Sequence, residues 1–282
     1  MKIGIIGLGL IGGTIAKSLN ERHHISAYDI NKKALDYSEK HHIIHKGYYD
    51  IKEFLENNNL IYLCLYPKEI KVFFEQNKDL IINDTVFIEI SGVKTSIIKE
   101  VETLGSTKFD LVYTHPIAGR EFSGVSHSDS RIFNKANYLI ITYEKNKKEN
   151  VVLAENLAYE MGFGKVTHVS SQFHDDIIAY TSQLTHVISM ALVNSFDEEN
   201  VDLVNFTGDS YRDLTRIANI NMFLWHQLLT MNKEALLKRI EAFEVEFSKI
   251  KRALVGDDFI QMSVCLAKSE HLHKRYMKGN NK

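Results

Sequence analysis

The residues best equipped for chemistry lie together in Thr114-His115-Pro116-Ile117-Ala118-Gly119-Arg120-Glu121, where three ionisable side chains fall within seven positions and one of only two prolines follows a histidine directly. The apolar run Phe109 to Tyr113 ahead of them reads as a buried strand, so His115 falls where a strand gives way to a loop. Pro116 denies His115 the helical region and Gly119 permits a sharp turn, so the backbone presenting the imidazole is shaped by its sequence. Imidazole, with an ordinary pKa of about 6.5, accepts protons near neutral pH, and strand ends in α/β sheets are where ligands bind. A histidine so placed also serves as a purely structural hydrogen-bonding group.

A second set of residues supplies a reason for that chemistry. The apolar run Met1 to Ile6 passes into Gly7-Leu8-Gly9-Leu10-Ile11-Gly12, and the helical pattern Thr14 to Leu19 follows. Gly7 allows the tight turn, Gly9 lets a pyrophosphate approach the backbone, and Gly12 lets helix and strand pack closely, with the helix N-terminus facing the phosphates. Another strand-like run, Ile25 to Tyr28, ends in Asp29, 22 positions beyond Gly7 and where a ribose-binding acid belongs. Gly7, Leu8, Gly9, Leu10, Ile11, Gly12 and Asp29 are therefore the candidate cofactor site. Asp29 repels a 2′-phosphate and so favours NAD over NADP, although Lys32 and Lys33 lie close downstream.

The elements needed to hold these groups can be read from the same pattern. Strand-like runs at 3–6, 25–28, 60–65, 86–90, 109–113 and 138–142 alternate with helical stretches, which predicts a doubly wound parallel sheet, with a last strand near 165–169. From His174 to Phe196 the apolar spacing of three and four predicts one long helix. Asn232 reads as the N-cap of another, striped by Leu236, Ile240, Phe243, Phe247, Ile250 and Leu254 and stopped at Gly256, and a final helix is expected over Asp258 to Tyr276. The expected fold is thus α/β: a Rossmann-type N-terminal domain over 1–169 and an all-helical domain over 170–282, whose apolar faces suggest a homodimer.

Composition narrows the class. With 282 residues, 44% hydrophobic, 25% charged and a net charge of −2, the chain has neither a basic nucleic-acid surface nor a membrane-spanning run. Two distant cysteines, Cys64 and Cys265, give no disulfide framework, and Cys64 is expected in the core; a cytoplasmic location is expected. The histidines at 23, 24, 41, 42, 271 and 273 are scattered on polar stretches without metal-ligand spacing, so no metal is expected.

Taken together, several segments resemble the prephenate/arogenate dehydrogenase family of tyrosine biosynthesis over nearly the whole chain. They are Gly7 to Gly12 with Asp29, Glu89 to Lys94, His115 to Glu121 with Ser123-Gly124, His174-Asp175, Ser182 to His186, and Arg212 to Ala218 with Trp225. The resemblance implies NAD-dependent oxidative decarboxylation of prephenate to 4-hydroxyphenylpyruvate and CO2. His115 would then accept the hydrogen bond of the C4 hydroxyl, Arg216 would anchor a carboxylate, and His186 would line the substrate pocket. Glu121 and Asp213 would pair with the arginine and gate the pocket, and Trp225 would wall it.

Each of these has a plainer reading: a surface ion pair for Arg216, a hydrogen-bonded core residue for His186, a solvated charge for Glu121, a helix-start residue for Asp213, and core packing for Trp225. The chain also departs from the family pattern. Gly92 stands where many members have serine, leaving Ser91 one position earlier as the candidate catalytic hydroxyl; Gln183 replaces a frequent histidine, and Arg120 adds a positive charge. Three alternatives stay open: the same reaction on arogenate, another two-domain β-hydroxyacid or imine reductase, and a non-catalytic NAD-binding regulator on the same scaffold.

Overall fold

Short runs rich in Ile, Val, Phe and Tyr form strands here because helices on both sides cover them. The computed structural model describes residues 1–120, 122–196 and 201–277. Its strands are β1 (Lys2–Ile6), β2 (His24–Tyr28), β3 (Lys46–Tyr48), β4 (Leu60–Leu63), β5 (Val86–Glu89), β6 (Asp110–Ile117), β7 (Asn137–Ile141) and β8 (Lys165–Val169). They form one sheet in the order β3-β2-β1-β4-β5-β6-β7-β8. The first six run parallel, β7 runs antiparallel to β6, and β8 runs parallel to β7. The doubly wound sheet expected from the sequence is therefore present, but mixed: an apolar run marks a strand without giving its direction. The sequence pattern does not predict β3, whose three residues are too few to show a period.

Alternation along the strands sends successive residues to opposite faces. Ile3, Ile5, Tyr62, Ile88 and Val112 pack on one side, and Ile6, Ile61, Leu63, Phe87, Leu111 and Tyr113 on the other. Each such side chain contributes roughly 1.5–3 kcal/mol on burial, so both faces hold the sheet rigid. Because β1, β2, β4, β5 and β6 are parallel, Gly7, Asp29, Cys64, Ser91 and His115 share its carboxyl edge, and the strand order reverses between β1 and β4, where a ligand crevice belongs.

Where one long helix is expected, the chain forms helix Ser171–Ile178, a π turn Ala179–Gln183 and helix Leu184–Asn194. Ser170 sets the start by accepting from the Phe173 amide. Further on come helix Asp209–Thr215, the 3-10 turn Arg216–Ala218 and helix Met222–Met231, the last capped by the Asn221 side chain on the Leu224 amide.

The chain divides into two compact units, Met1–Asn232 and Lys233–Lys282. In the second unit, helices Lys233–Val255 and Phe259–Met277 pack on each other across Gly256 and Asp257, as the apolar stripe and glycine stop predict. The Asn232 side chain, expected as an N-cap, instead donates to the carbonyl of Asp175 and to Gln183 Oε1 within the first unit. Among the described residues no helix is long and apolar enough to cross a membrane.

Candidate active site

At the end of β1 three glycines meet three different constraints. Gly7 has a φ of +95°, and a Cβ there would stand 2.4 Å from the Cys64 carbonyl oxygen. At Gly12 a Cβ would stand 2.0 Å from the Gly7 carbonyl oxygen. At Gly9 it would meet nothing within 4 Å, so that backbone faces open space. Gly9 is also the N-cap of helix Leu10–Leu19 and has no side chain to occupy the helix's first N–H groups. Asp29 accepts from the Leu8 amide at 2.6 Å and the Asn31 amide at 2.7 Å, one on each carboxylate oxygen, which leaves lone pairs for ribose hydroxyls. Uncovered helix amides, an open glycine and an acid at the next strand end are what a dinucleotide requires. Gly12→Ala should therefore cost about 1–3 kcal/mol of stability from overpacking and weaken NAD binding, read by thermal unfolding with and without NAD; an unchanged Tm in both conditions would remove the close approach from the account.

Cys64, expected in the core, lies just past β4, partly buried against Gly7 and Gly12, and burial pushes its thiol pKa up. It is therefore a packing group of the turn and not a nucleophile.

Around His115 the side chains form a connected buried network. His115 Nδ1 lies 2.8 Å from His174 Nε2, and His174 Nδ1 lies 2.8 Å from Asp175 Oδ1. Asp175 also accepts from the backbone amides of Lys94 (2.9 Å) and Thr95 (2.8 Å) at the start of helix Thr95–Glu102. Fully buried Lys94 pairs with fully buried Glu89 at 2.5 Å, and Glu89 also accepts from the Ser91 amide. Enclosure by these neighbours, then His174 and the Lys94 ammonium, hold the His115 pKa well below the ordinary imidazole value. His174 is lowered in the same direction, chiefly by burial, against the pull of Asp175. Burial raises Asp175, but hydrogen bonds from His174 and Thr95 outweigh it and keep the carboxyl below its usual value. His115 is thus a neutral base at physiological pH.

The opposite ring nitrogen of His115 faces Gly92, where a Cβ would stand 3.7 Å from Nε2 and 3.2 Å from Leu228 Cδ2. Leu228 belongs to helix Met222–Met231, and three positions earlier on that helix Trp225 stacks on His186 with ring centroids 3.7 Å apart. His186 donates its Nδ1 proton to the Ser182 carbonyl at 2.9 Å, which puts the lone pair of the neutral ring on Nε2, and burial lowers its pKa. The Arg216–Ala218 turn packs on the helix that carries His186, with Arg216 exposed. His115, His186, Trp225 and the turn of Arg216 are therefore linked through two helices, Met222–Met231 beside Gly92 and His115, and Leu184–Asn194 beside the Arg216 turn. Gln183 reinforces that link, donating to the Leu228 carbonyl at 3.0 Å.

Other expected residues are placed differently. The Ser91 hydroxyl donates to the Val93 carbonyl at 3.1 Å, within its own loop. Asp213 is exposed on helix Asp209–Thr215. Glu121 lies outside the described residues. Among the described residues no group of three or more His, Cys, Asp or Glu side chains is arranged to hold a metal. Sequence reasoning assigned no role to His174, Asp175, Lys94 or Glu89; the adjacent His-Asp pair was the available signal, but its partners lie about 60 to 80 positions away.

Fold and site define the class, a dinucleotide-binding α/β protein with a buried histidine network at the carboxyl edge of its sheet. The sequence matches the family description "Prephenate dehydrogenase, nucleotide-binding domain" over residues 15–167 and "Prephenate dehydrogenase, dimerization domain" over residues 170–268. The chain belongs to the prephenate dehydrogenase family. It is 24% identical to the cyclohexadienyl dehydrogenase of Zymomonas mobilis over 263 residues, covering 91% of this chain and 89% of that protein. It is 28% identical to the prephenate dehydrogenase of Lactococcus lactis over 267 residues, covering 91% of this chain and 72% of that one. The same fold occurs in the crystal structure of prephenate dehydrogenase from A. aeolicus in complex with hydroxyphenyl propionate and NAD+, with a TM-score of 0.87, 24% identity and 98% of each chain covered.

Proposed function

We propose that this chain is a prephenate dehydrogenase that uses NAD to convert prephenate to 4-hydroxyphenylpyruvate and CO2. The observation that carries the reading is a partly buried His115, hydrogen-bonded to His174 and with its pKa held down by burial, at the same sheet edge as the open Gly9 turn and Asp29. NAD, when bound, supplies the acceptor for the hydride that leaves C4. His115 takes the proton of the C4 hydroxyl as its oxygen gains carbonyl character, and returns it to the phenolate once CO2 has left C1 and the ring is aromatic. Atoms and charge balance over the two transfers, so no further reactant is needed.

Arg216 anchors a substrate carboxylate, a task suited to a planar, permanently charged fork. His186 offers Nε2 to the same pocket, Trp225 forms its wall, and Asp213 pairs with Arg216 at the entrance; for Glu121 the gating role rests on the sequence resemblance alone. Ser91, with its hydroxyl turned to Val93, retains an acceptor lone pair toward the loop. Residues 1–169 bind NAD, and residues 170–282 bind substrate and dimerise, a division supported by the change of family description between residues 167 and 170.

The homodimer is supported by the helical unit, where Phe247, Leu254, Phe259 and Ile260 are all exposed by more than half their surface in a single chain. Two free cysteines fit a reducing cytoplasm. The test is NADH formation by the purified protein with prephenate, with arogenate, and with neither. Absorbance growth with prephenate is expected; growth only with arogenate would move the assignment to that substrate, and none with either would remove the activity.

A further inference from the structure

We propose that Asp175 and His174 are positioning residues that set the tautomer of His115, leaving its Nε2 unprotonated before substrate arrives. The inference rests on the reading of His115 as proton acceptor. It begins at two backbone amides, Lys94 N and Thr95 N, which can only donate. Each faces a different oxygen of Asp175, so the carboxylate is held as an acceptor at both ends, and its partner His174 Nδ1 must donate. A neutral imidazole carries one proton, which leaves His174 Nε2 as the acceptor. That atom lies 2.8 Å from His115 Nδ1, so His115 Nδ1 donates and the lone pair of His115 is at Nε2, on the Gly92 side.

The buried Lys94 ammonium completes the device. A cationic His174 would donate from Nε2, force His115 Nδ1 to accept, and put the His115 proton on Nε2, where it blocks the reaction. Lys94, together with burial of the ring, opposes that charge. Lys94 and Glu89 together add no net charge, so with the Asp175 carboxylate the cluster carries one net negative charge when both rings are neutral. Proton uptake by His115 brings it to neutrality, so the same cluster that keeps the base free at rest accommodates its charged form during turnover. Asn232, donating to the Asp175 carbonyl and to Gln183 Oε1, fixes the helix that carries the pair without adding a titratable group.

The test is 15N NMR of histidine-labelled enzyme without substrate at neutral pH, with the His115 signals identified by their absence in His115→Asn. The expected spectrum has a protonated Nδ1 and an unprotonated Nε2 at His115. In His174→Phe, and in the isosteric Asp175→Asn in case the first does not fold, that pattern should shift toward protonated Nε2. Turnover should fall about tenfold while the KM values for prephenate and NAD stay nearly constant. A wild-type His115 protonated at Nε2, or a pattern and kcat untouched in the variants, overturns the proposal. The spectrum decides this whether or not prephenate is the substrate, so its failure is distinct from failure of the assigned activity.

Discussion

His115→Asn should lower kcat with prephenate by roughly 10² to 10⁴ while leaving NAD affinity nearly unchanged. The amide can fill much of the imidazole's place and still hydrogen-bond, but it cannot take a proton, so the loss falls on the chemical step. NAD affinity survives because the glycine turn and Asp29 are held by their own backbone contacts at β1 and β2, not by His115. The sign of the pH dependence follows from the lowered pKa. Activity needs the unprotonated ring; burial, His174 and Lys94 all disfavour the proton, so kcat should hold as pH falls through the ordinary imidazole range and drop only below it. An acid limb centred at or above about 6.5 would show that His115 titrates as a free imidazole.

Arg216→Ala should raise the KM for prephenate by about 10- to 100-fold with a smaller change in kcat, the equivalent of roughly 1.5–3 kcal/mol for a charge-assisted hydrogen bond to a carboxylate. Because Arg216 is exposed in the substrate-free chain, the loss should stay below the values seen for fully buried ion pairs. Arg216→Lys should recover little, since an ammonium cannot form the bidentate contact. A KM that does not move in either variant would mean the carboxylate anchor is another residue.

The sequence carries the nucleotide half well because its signals are local. Apolar runs of four to six residues, a glycine turn and an acid at the next strand end need no long-range contact to be recognised. What it lacks is whatever depends on pairing. The reversal of β7 is decided by how Thr114 to Ile117 pair with Asn137 to Ile140, which no periodicity records. The π turn at Ala179–Gln183 hides inside a spacing of three and four that also describes an unbroken helix.

The candidate site divides along the same line. Although His115 lies within β6, which continues to Ile117 by pairing with β7, and not at a strand-to-loop boundary, it is legible from Pro116, Gly119 and the apolar run before it. Its network is not, because Asp175 owes its role to amides about 80 positions earlier, and His186 meets Trp225 across 39 positions of sequence. Asn232 shows the limit of local rules: its position suits a cap, yet its side chain makes stronger use of two buried acceptors.

The most direct measurement is a crystal structure of the enzyme with NAD and 4-hydroxyphenylpyruvate, whose phenol and carboxylate mark the two ends of the substrate. The expected result has His115 Nε2 within hydrogen-bonding distance of the phenol oxygen and the Arg216 guanidinium on the carboxylate, in the same pocket as the nicotinamide. A ligand bound with His115 remote from the phenol, or with Arg216 facing away from it in every subunit, would contradict the account.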